Sequence, residues 1–289
     1  MSRLGVISDG ISRDLGHALR VARDAGLDEI ELQYVWDREV GDLDADETER
    51  VVSLVREAKM PVSCVSRHIF GGLLVRETEP GGDEHRAHLD KLASCIDLAH
   101  RLDCGFVRIM SGRREMILFG ENGADQWNVA HGAWDGLKAL VLPAVEMAER
   151  EGVTLVVETG NGGTICSART GRRLVDEIGS ERLKVLWDPA NCMFASEPPH
   201  PLGIEALGDG AALGHLHVKD VVADMPAAHL RVCELGSGQL ASSLEPMAEW
   251  LGQVGYAGAI SLEAVYRPDG GTFEDGFRAC VGRFRELFG

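Results

Sequence analysis

The chain has no Cys-x-x-Cys pair, no long apolar run and no excess of positive charge, and each absence removes a class of function. Seven cysteines, at 64, 95, 104, 166, 192, 233 and 280, are odd in number and read as reduced thiols in a cytoplasm. Cys64, Cys192 and Cys233, near strand ends, read as small apolar fillers rather than nucleophiles. No stretch approaches the ~18 apolar residues of a membrane span, and the apolar run at the N-terminus is too short for a signal peptide. The expectation is a soluble, cytoplasmic chain with no membrane partner. With 46 acidic against 29 basic side chains the net charge is -17, which repels a phosphate backbone and argues against nucleic acid. There is no Gly-x-Gly-x-x-Gly after the first strand and no Walker-type Gly-Lys-Ser/Thr, so the usual signs of a doubly wound nucleotide-binding sheet are missing.

What is present is an alternation of short β-rich runs with segments of helical period. Hydrophobic residues make up 45% and charged residues 26%, a globular balance that excludes disorder. The spacing predicts strands at Leu4–Ser8, Glu29–Tyr34, Val62–His68, Phe106–Met110, Thr154–Glu158, Leu183–Asp188, Leu213–Val218 and Ala259–Ala264. Helical patterns fall near Ser12–Ala25, Ala45–Ala58, Asp83–Arg101, His131–Arg150, Ser167–Ile178, Gly203–Leu207, Ser242–Val254 and Thr272–Leu287. Helix entries are marked by Ser12, by Asp44 with Glu47, and by Ser167; exits are marked by Gly26, Gly152 and Gly179. Eight strand–helix units without a dividing linker predict an α/β fold, a single (β/α)8 TIM barrel over residues 1–289. The long segment Gly112–Ala130, with Arg113, Arg114, Glu121, Asn122, Asp125 and Trp127, is expected after the fourth strand as a lid or a contact within a homo-oligomer.

Glu158, Asp188, His217 and Glu263 close four successive apolar strands. Each alone has an ordinary explanation: a carboxylate ending a strand is often a helix cap, and Asp188, followed by Pro189 and Asn191, suits a turn. Together at the C-terminal ends of barrel strands, three carboxylates and an imidazole would repel and stay undersolvated without a cation between them, so they predict a divalent metal site. His215 and His217 share a strand face, and His217, nearer the C-terminal end, is the one expected to reach the site. Arg67, His68 and Arg108 lie at the same end as candidate substrate contacts, with an ion pair to Glu31 as the structural alternative for one of them. Lys219 is a further substrate-binding candidate, as is Arg231 in the loop before Gly236-Ser-Gly238, where some barrels bind phosphate. Trp36, Trp127 and Trp187 read as core first and as sugar-pocket walls second.

In order, Val157-Glu158-Thr-Gly-Asn, Trp187-Asp188-Pro-Ala-Asn191, His215-Leu-His217-Val-Lys219-Asp220, Gly236-Ser-Gly238 and Gly255-Tyr-Ala-Gly-Ala-Ile-Ser-Leu-Glu263 resemble the sugar phosphate isomerase/epimerase superfamily, the xylose isomerase-like barrels. The resemblance implies that Glu158, Asp188, His217 and Glu263 hold Mn²⁺, Mg²⁺ or Co²⁺, with Mn²⁺ favoured, and that Glu158 and Glu263 exchange protons with a substrate carbon. Asn191 stands where many ketose 3-epimerases of this group carry a substrate-positioning His, and Ala223 where they carry an Arg. Asn191 is therefore expected to contact substrate in its own way.

The implied reaction is isomerisation or epimerisation of a sugar, keto-sugar or derivative through a cis-enediolate. A cation stabilises the enediolate oxygen while opposed carboxylates act as base and acid. The same machinery acting on a substrate with a leaving group β to the carbanion gives a lyase or dehydratase on a keto-sugar, keto-inositol or oxidised glycoside. An endonuclease of the superfamily would need a basic groove, which the net charge opposes.

Overall fold

A computed structural model describes residues 2–114, 132–224, 226–227 and 229–289. Eight parallel strands close a barrel in chain order: β1 (Arg3–Ile7), β2 (Glu29–Leu32), β5 (Val62–Ile69), β6 (Phe106–Ile109), β7 (Thr154–Glu158), β8 (Leu183–Trp187), β9 (Leu213–Val218) and β12 (Ala259–Leu262), with β12 pairing back to β1. Two short antiparallel hairpins stand outside it, β3 (Tyr34–Val35) with β4 (Arg38–Glu39), and β10 (Asp220–Asp224) with β11 (His229–Cys233). Neither hairpin is announced by the sequence pattern. Both follow barrel strands at the C-terminal end, where they reach the site.

The outer ring comprises α1 (Leu15–Asp24), α2 (Ala45–Ala58), α3 (Asp83–Arg101), α4 (Ala133–Glu151), α5 (Ala168–Ile178), the short α6 (Pro189–Cys192) and α7 (Ile204–Leu207), α8 (Ala241–Gln253) and α9 (Phe273–Phe288). Capping chemistry sets their starts. Asp44 and Glu47 form a reciprocal capping box, as do Ser167 and Thr170. The first helix begins at Asp14 rather than Ser12: the Asp14 carboxylate accepts from His17 N–H at 3.2 Å, and the Ser12 hydroxyl accepts from Asp14 N–H. Gly152 and Gly179 end α4 and α5 at φ 74° and 72°, backbone that a residue with a Cβ adopts only with strain. Between β8 and β9 the helix expected near Gly203–Leu207 is the short α7, and α6 and irregular turns precede it because Pro198, Pro199 and Pro201 interrupt any longer regular run.

Inside the barrel the layers differ in chemistry. Cys64, Val156 and Leu186, backed by Phe106, form an apolar plug toward one end. Toward the C-terminal ends of the strands the interior turns polar, with Glu31, Ser66, His215, His217 and Ser261 all buried. The period of two along a strand carries this change: Val156 is followed by Glu158, and Leu186 by Asp188, on the same face. Trp187 points outward into the barrel–helix core, where its ring meets Trp250 edge-on at 5.9 Å, and Trp36 lies under the Arg50 guanidinium. Trp127, Glu121, Asn122 and Asp125, together with the lid or subunit contact expected of their segment, lie outside the described residues.

Candidate metal centre and active site

Glu158, Asp188, His217 and Glu263 each offer a ligand atom, and these atoms lie within 4.8 Å of one another. Asp188 divides its carboxylate between two tasks. Oδ1 caps α6 by accepting from Ala190 and Asn191 N–H at 3.0 and 3.2 Å, while Oδ2 accepts from Asn191 Nδ2 at 2.7 Å and from the Lys219 ammonium. The turn role and the site role are both present, one per oxygen.

Four carboxylates in this buried network, Glu31, Glu158, Asp188 and Glu263, face two permanent cations, Arg108 and Lys219, leaving a balance of minus two. Burial tends to raise the Glu158 carboxyl, but Arg108, His217 and Lys219 outweigh it and hold it at about 2. Asp188 moves the other way: burial, reinforced by Glu263 and Glu158, lifts it to about 7 against the pull of Lys219. Burial disfavours charge on His217, yet Glu31 and Glu158 raise it to about 10. Protons on His217 and Asp188 are thus the ion-free protein's way of meeting the charge deficit.

A divalent cation fits the same deficit, and one buried atom points to it. His217 donates from Nε2 to Glu31 Oε1 at 2.9 Å, and its Nδ1 is buried, without a hydrogen-bond partner, 3.8 Å from Glu158 Oε1. A ring that commits one nitrogen to a carboxylate and turns the other toward acidic oxygens is the arrangement that orients a metal-binding imidazole. Glu31 also accepts from His215 Nε2 at 2.7 Å and from the Ser66 hydroxyl, so it braces both histidines. It forms no ion pair with Arg67, His68 or Arg108. Arg67 pairs with Glu39 and Asp42, His68 with Glu39, and Arg108 with Glu158, because β3–β4 brings Glu39 over the end of β5 and leaves Glu31 facing the histidines.

The cluster opens on a cavity of about 630 Å³ lined by His68, Arg108, Glu158, Asn191, Lys219 and Glu263 among others. Lys219 contacts both Asp188 and Glu263, and Asn191 Nδ2 also lies 3.4 Å from Glu158 Oε1. Arg231 does not reach this space. It is exposed on β11, while its neighbours Leu230 and Val232, on the opposite face of the hairpin, line the cavity. Trp36 and Trp187 do not line it either. The thiols of Cys64 and Cys192 are buried and pushed well above the ordinary range by that burial, and Cys233 is raised for the same reason, as fits fillers.

The glycine loop after β9 is differently used than the phosphate suggestion supposed. Asp220 Oδ2 accepts from Gly236 and Gly238 N–H at 3.0 and 2.8 Å, and Oδ1 from Val221 and Leu240 N–H at 2.8 and 3.0 Å. A Cβ on Gly238 would stand 2.4 Å from Asp220 Oδ1, so glycine is required for the amides to close on the carboxylate. The cup is filled by the chain's own anion.

A family model described as xylose isomerase-like TIM barrel matches residues 19–284. No curated protein matches by sequence. Among solved structures, a 3-keto-D-glucoside 4-epimerase from E. coli is similar with a TM-score of 0.71 at 16% identity, covering 99% of both chains. An L-ribulose 3-epimerase gives 0.66 at 21%, covering 100% of this chain and 95% of that one. A probable 3-DHS dehydratase from Bacillus anthracis gives 0.69 at 13%, covering 99% of both.

Proposed function

The chain belongs to the xylose isomerase-like TIM barrel family, and from that premise we propose that it is a divalent-metal-dependent isomerase or epimerase of a sugar, keto-sugar or derivative. The observation that carries this reading is the convergence of Glu158, Asp188, His217 and Glu263, with the buried and unpartnered His217 Nδ1 turned toward the acidic oxygens. Three oxygen donors and one nitrogen with room for substrate favour Mn²⁺, Mg²⁺ or Co²⁺, Mn²⁺ foremost, over a closed structural zinc site. A cation held there supplies Lewis-acid stabilisation of the negative charge that forms on a ketone oxygen when a neighbouring C–H proton leaves.

The chain's residues do the rest. Glu158 and Glu263, from β7 and the end of β12, act as base and acid on opposite sides of the substrate. Arg108 keeps Glu158 ionised. Lys219, Asn191 and His68 hold substrate oxygens. The filled cup at Asp220 supports an unphosphorylated substrate. A structural neighbour described as a probable dehydratase supports a second reading, elimination by the same centre when the substrate carries a leaving group.

The test is NMR in D₂O with keto-sugars, hydroxypyruvate, keto-inositols, oxidised glycosides and sugar phosphates. Deuterium at one carbon with mass conserved marks isomerisation; loss of water or an alcohol marks elimination. Exhaustive dialysis against EDTA should abolish turnover and Mn²⁺ restore it. Glu158→Gln and Glu263→Gln should each lower turnover by roughly 10²–10⁴. Full activity in the metal-free protein, or near-normal rates in both Gln variants, would refute the reading.

A further inference from the structure

Strand β5 carries Arg67 and His68 just before its C-terminal residue Ile69, and the β3–β4 hairpin lays Glu39 across that end. Glu39 Oε1 accepts from His68 N–H at 2.9 Å and from His68 Nδ1 at 2.6 Å. Arg67 sits 3.4 Å from Glu39 Oε2 and 2.8 Å from Asp42, which Lys91 holds in turn. Burial tends to raise Glu39, but the His68 hydrogen bonds and Arg67 outweigh it and lower it, so it is a carboxylate and can only accept. The shared proton is therefore on Nδ1. On the ring's other edge, Nε2 lies 3.4 Å from Arg108 Nη2, a group with hydrogens and no lone pair, so Nε2 is the acceptor in that long contact. The His68 side chain is 41% exposed, and that exposed part faces the cavity shared with Glu158 and Glu263. An imidazole with a carboxylate behind Nδ1 and its Nε2 edge toward the cavity is the construction of a general base.

We infer that His68, oriented by Glu39, is a third proton-transfer group of this site, acting on a substrate hydroxyl while the two glutamates act on carbon, and that the reaction moves a carbonyl between neighbouring carbons. This rests on the function proposed above. Inversion beside a ketone removes and returns one C–H proton and leaves every O–H in place. Moving the carbonyl requires one more exchange, between oxygens. A glutamate takes the C–H proton, and that bond's electron pair forms the enediolate C=C while the C=O pair passes to its oxygen. His68 Nε2 takes the proton of the neighbouring hydroxyl, whose O–H pair becomes the new C=O. The C=C pair takes a proton from a glutamic acid at the former carbonyl carbon, and the imidazolium returns its proton to the former carbonyl oxygen. No hydrogen or electron is gained or lost.

Long-range ¹⁵N-histidine NMR of the Mg²⁺-loaded protein at neutral pH, with His68 identified by its loss in His68→Gln, should show the Nδ1–H tautomer; an Nε2–H tautomer overturns the inference. The Mn²⁺-loaded protein is then given D-fructose, D-tagatose, L-ribulose and hydroxypyruvate in D₂O. The expected result is a carbonyl-shifted product that carries deuterium. Its formation should fall roughly 10²–10⁴-fold in His68→Gln and clearly in Glu39→Gln, with C–H exchange falling far less. Exchange with inversion and no carbonyl shift, or equal loss of exchange and shift in His68→Gln, overturns the inference and leaves the proposed function standing. No exchange with any of the four compounds overturns this inference, while the proposed function stands or falls with the wider substrate set and the two Gln variants described above.

Discussion

Arg108 directs Nη1 to within 2.9 Å of Glu158 Oε2 from the adjacent barrel strand, with the two side chains only 3% and 7% exposed. Removing the guanidinium strands a buried carboxylate, so Arg108→Met in the ion-free protein is expected to lose about 3–5 kcal/mol of unfolding free energy. The urea midpoint reads the loss if the slope is unchanged. Glu158 is lowered from 4.5 to about 2, so the pair's contribution is complete above pH 4.5 and is lost as pH falls toward 2. The gap between wild type and variant should therefore narrow on acidification. A gap that is small at pH 7, or that widens toward pH 3, would contradict the pairing.

Proton release on metal uptake follows from the two groups that carry protons in the ion-free protein. Asp188 is raised to about 7 and His217 to about 10. A ligand must shed its proton to bind, so Mn²⁺ uptake should release about two protons at pH 6 and about one at pH 8. Both groups have folded values above their unfolded ones, so the stability their protons confer is present at low pH and is lost as pH rises through about 7 and then about 10. Added Mn²⁺ should accordingly raise the melting temperature more at pH 8 than at pH 6. Calorimetry in buffers of different ionisation enthalpy measures the proton count, and a count near zero at both values would contradict these assignments.

All eight barrel strands were legible because each is a short β-rich run between segments of helical period, and the four acidic and imidazole residues were legible because they recur at one level, the C-terminal ends of their strands. Glu31 was harder to place. Its strand offered three cations nearby in sequence order, yet barrel closure sets it against His215 and His217 from β9, across the interior. Glu39 carried no signal beyond the short segment Tyr34–Glu39, whose two-residue strands are set by tertiary contact rather than by period. Nothing in the spacing around Asp220 marks its role, and only the return of the loop at Gly236 shows its carboxylate enclosed by amides.

Glu31 governs which nitrogen of His217 faces the ligand cluster. Glu31→Gln keeps the volume but can offer an N–H where the carboxylate accepted, which weakens the hold on the Nε2–H tautomer. Metal affinity should fall by roughly 10–100-fold, the usual cost of losing a carboxylate behind a ligating histidine. Titration with Mn²⁺ followed by paramagnetic resonance reads the free ion directly and does not depend on turnover. Unchanged affinity would mean that His217 is held by the barrel alone.

Asp220 supplies the last test, because its carboxylate satisfies four backbone amides at once. Asp220→Ala leaves the amides of Val221, Gly236, Gly238 and Leu240 facing an empty cup, and the expected loss is on the order of 3 kcal/mol, since stranded donors retain their desolvation cost. The vacated cup is also an anion site of the kind oriented amides make. Inorganic phosphate should therefore raise the melting temperature of Asp220→Ala in a saturable way while leaving wild type unmoved, for in wild type the amides already have their anion. Equal phosphate response in both proteins would show that the ion binds elsewhere and that the loop is held by contacts other than this carboxylate.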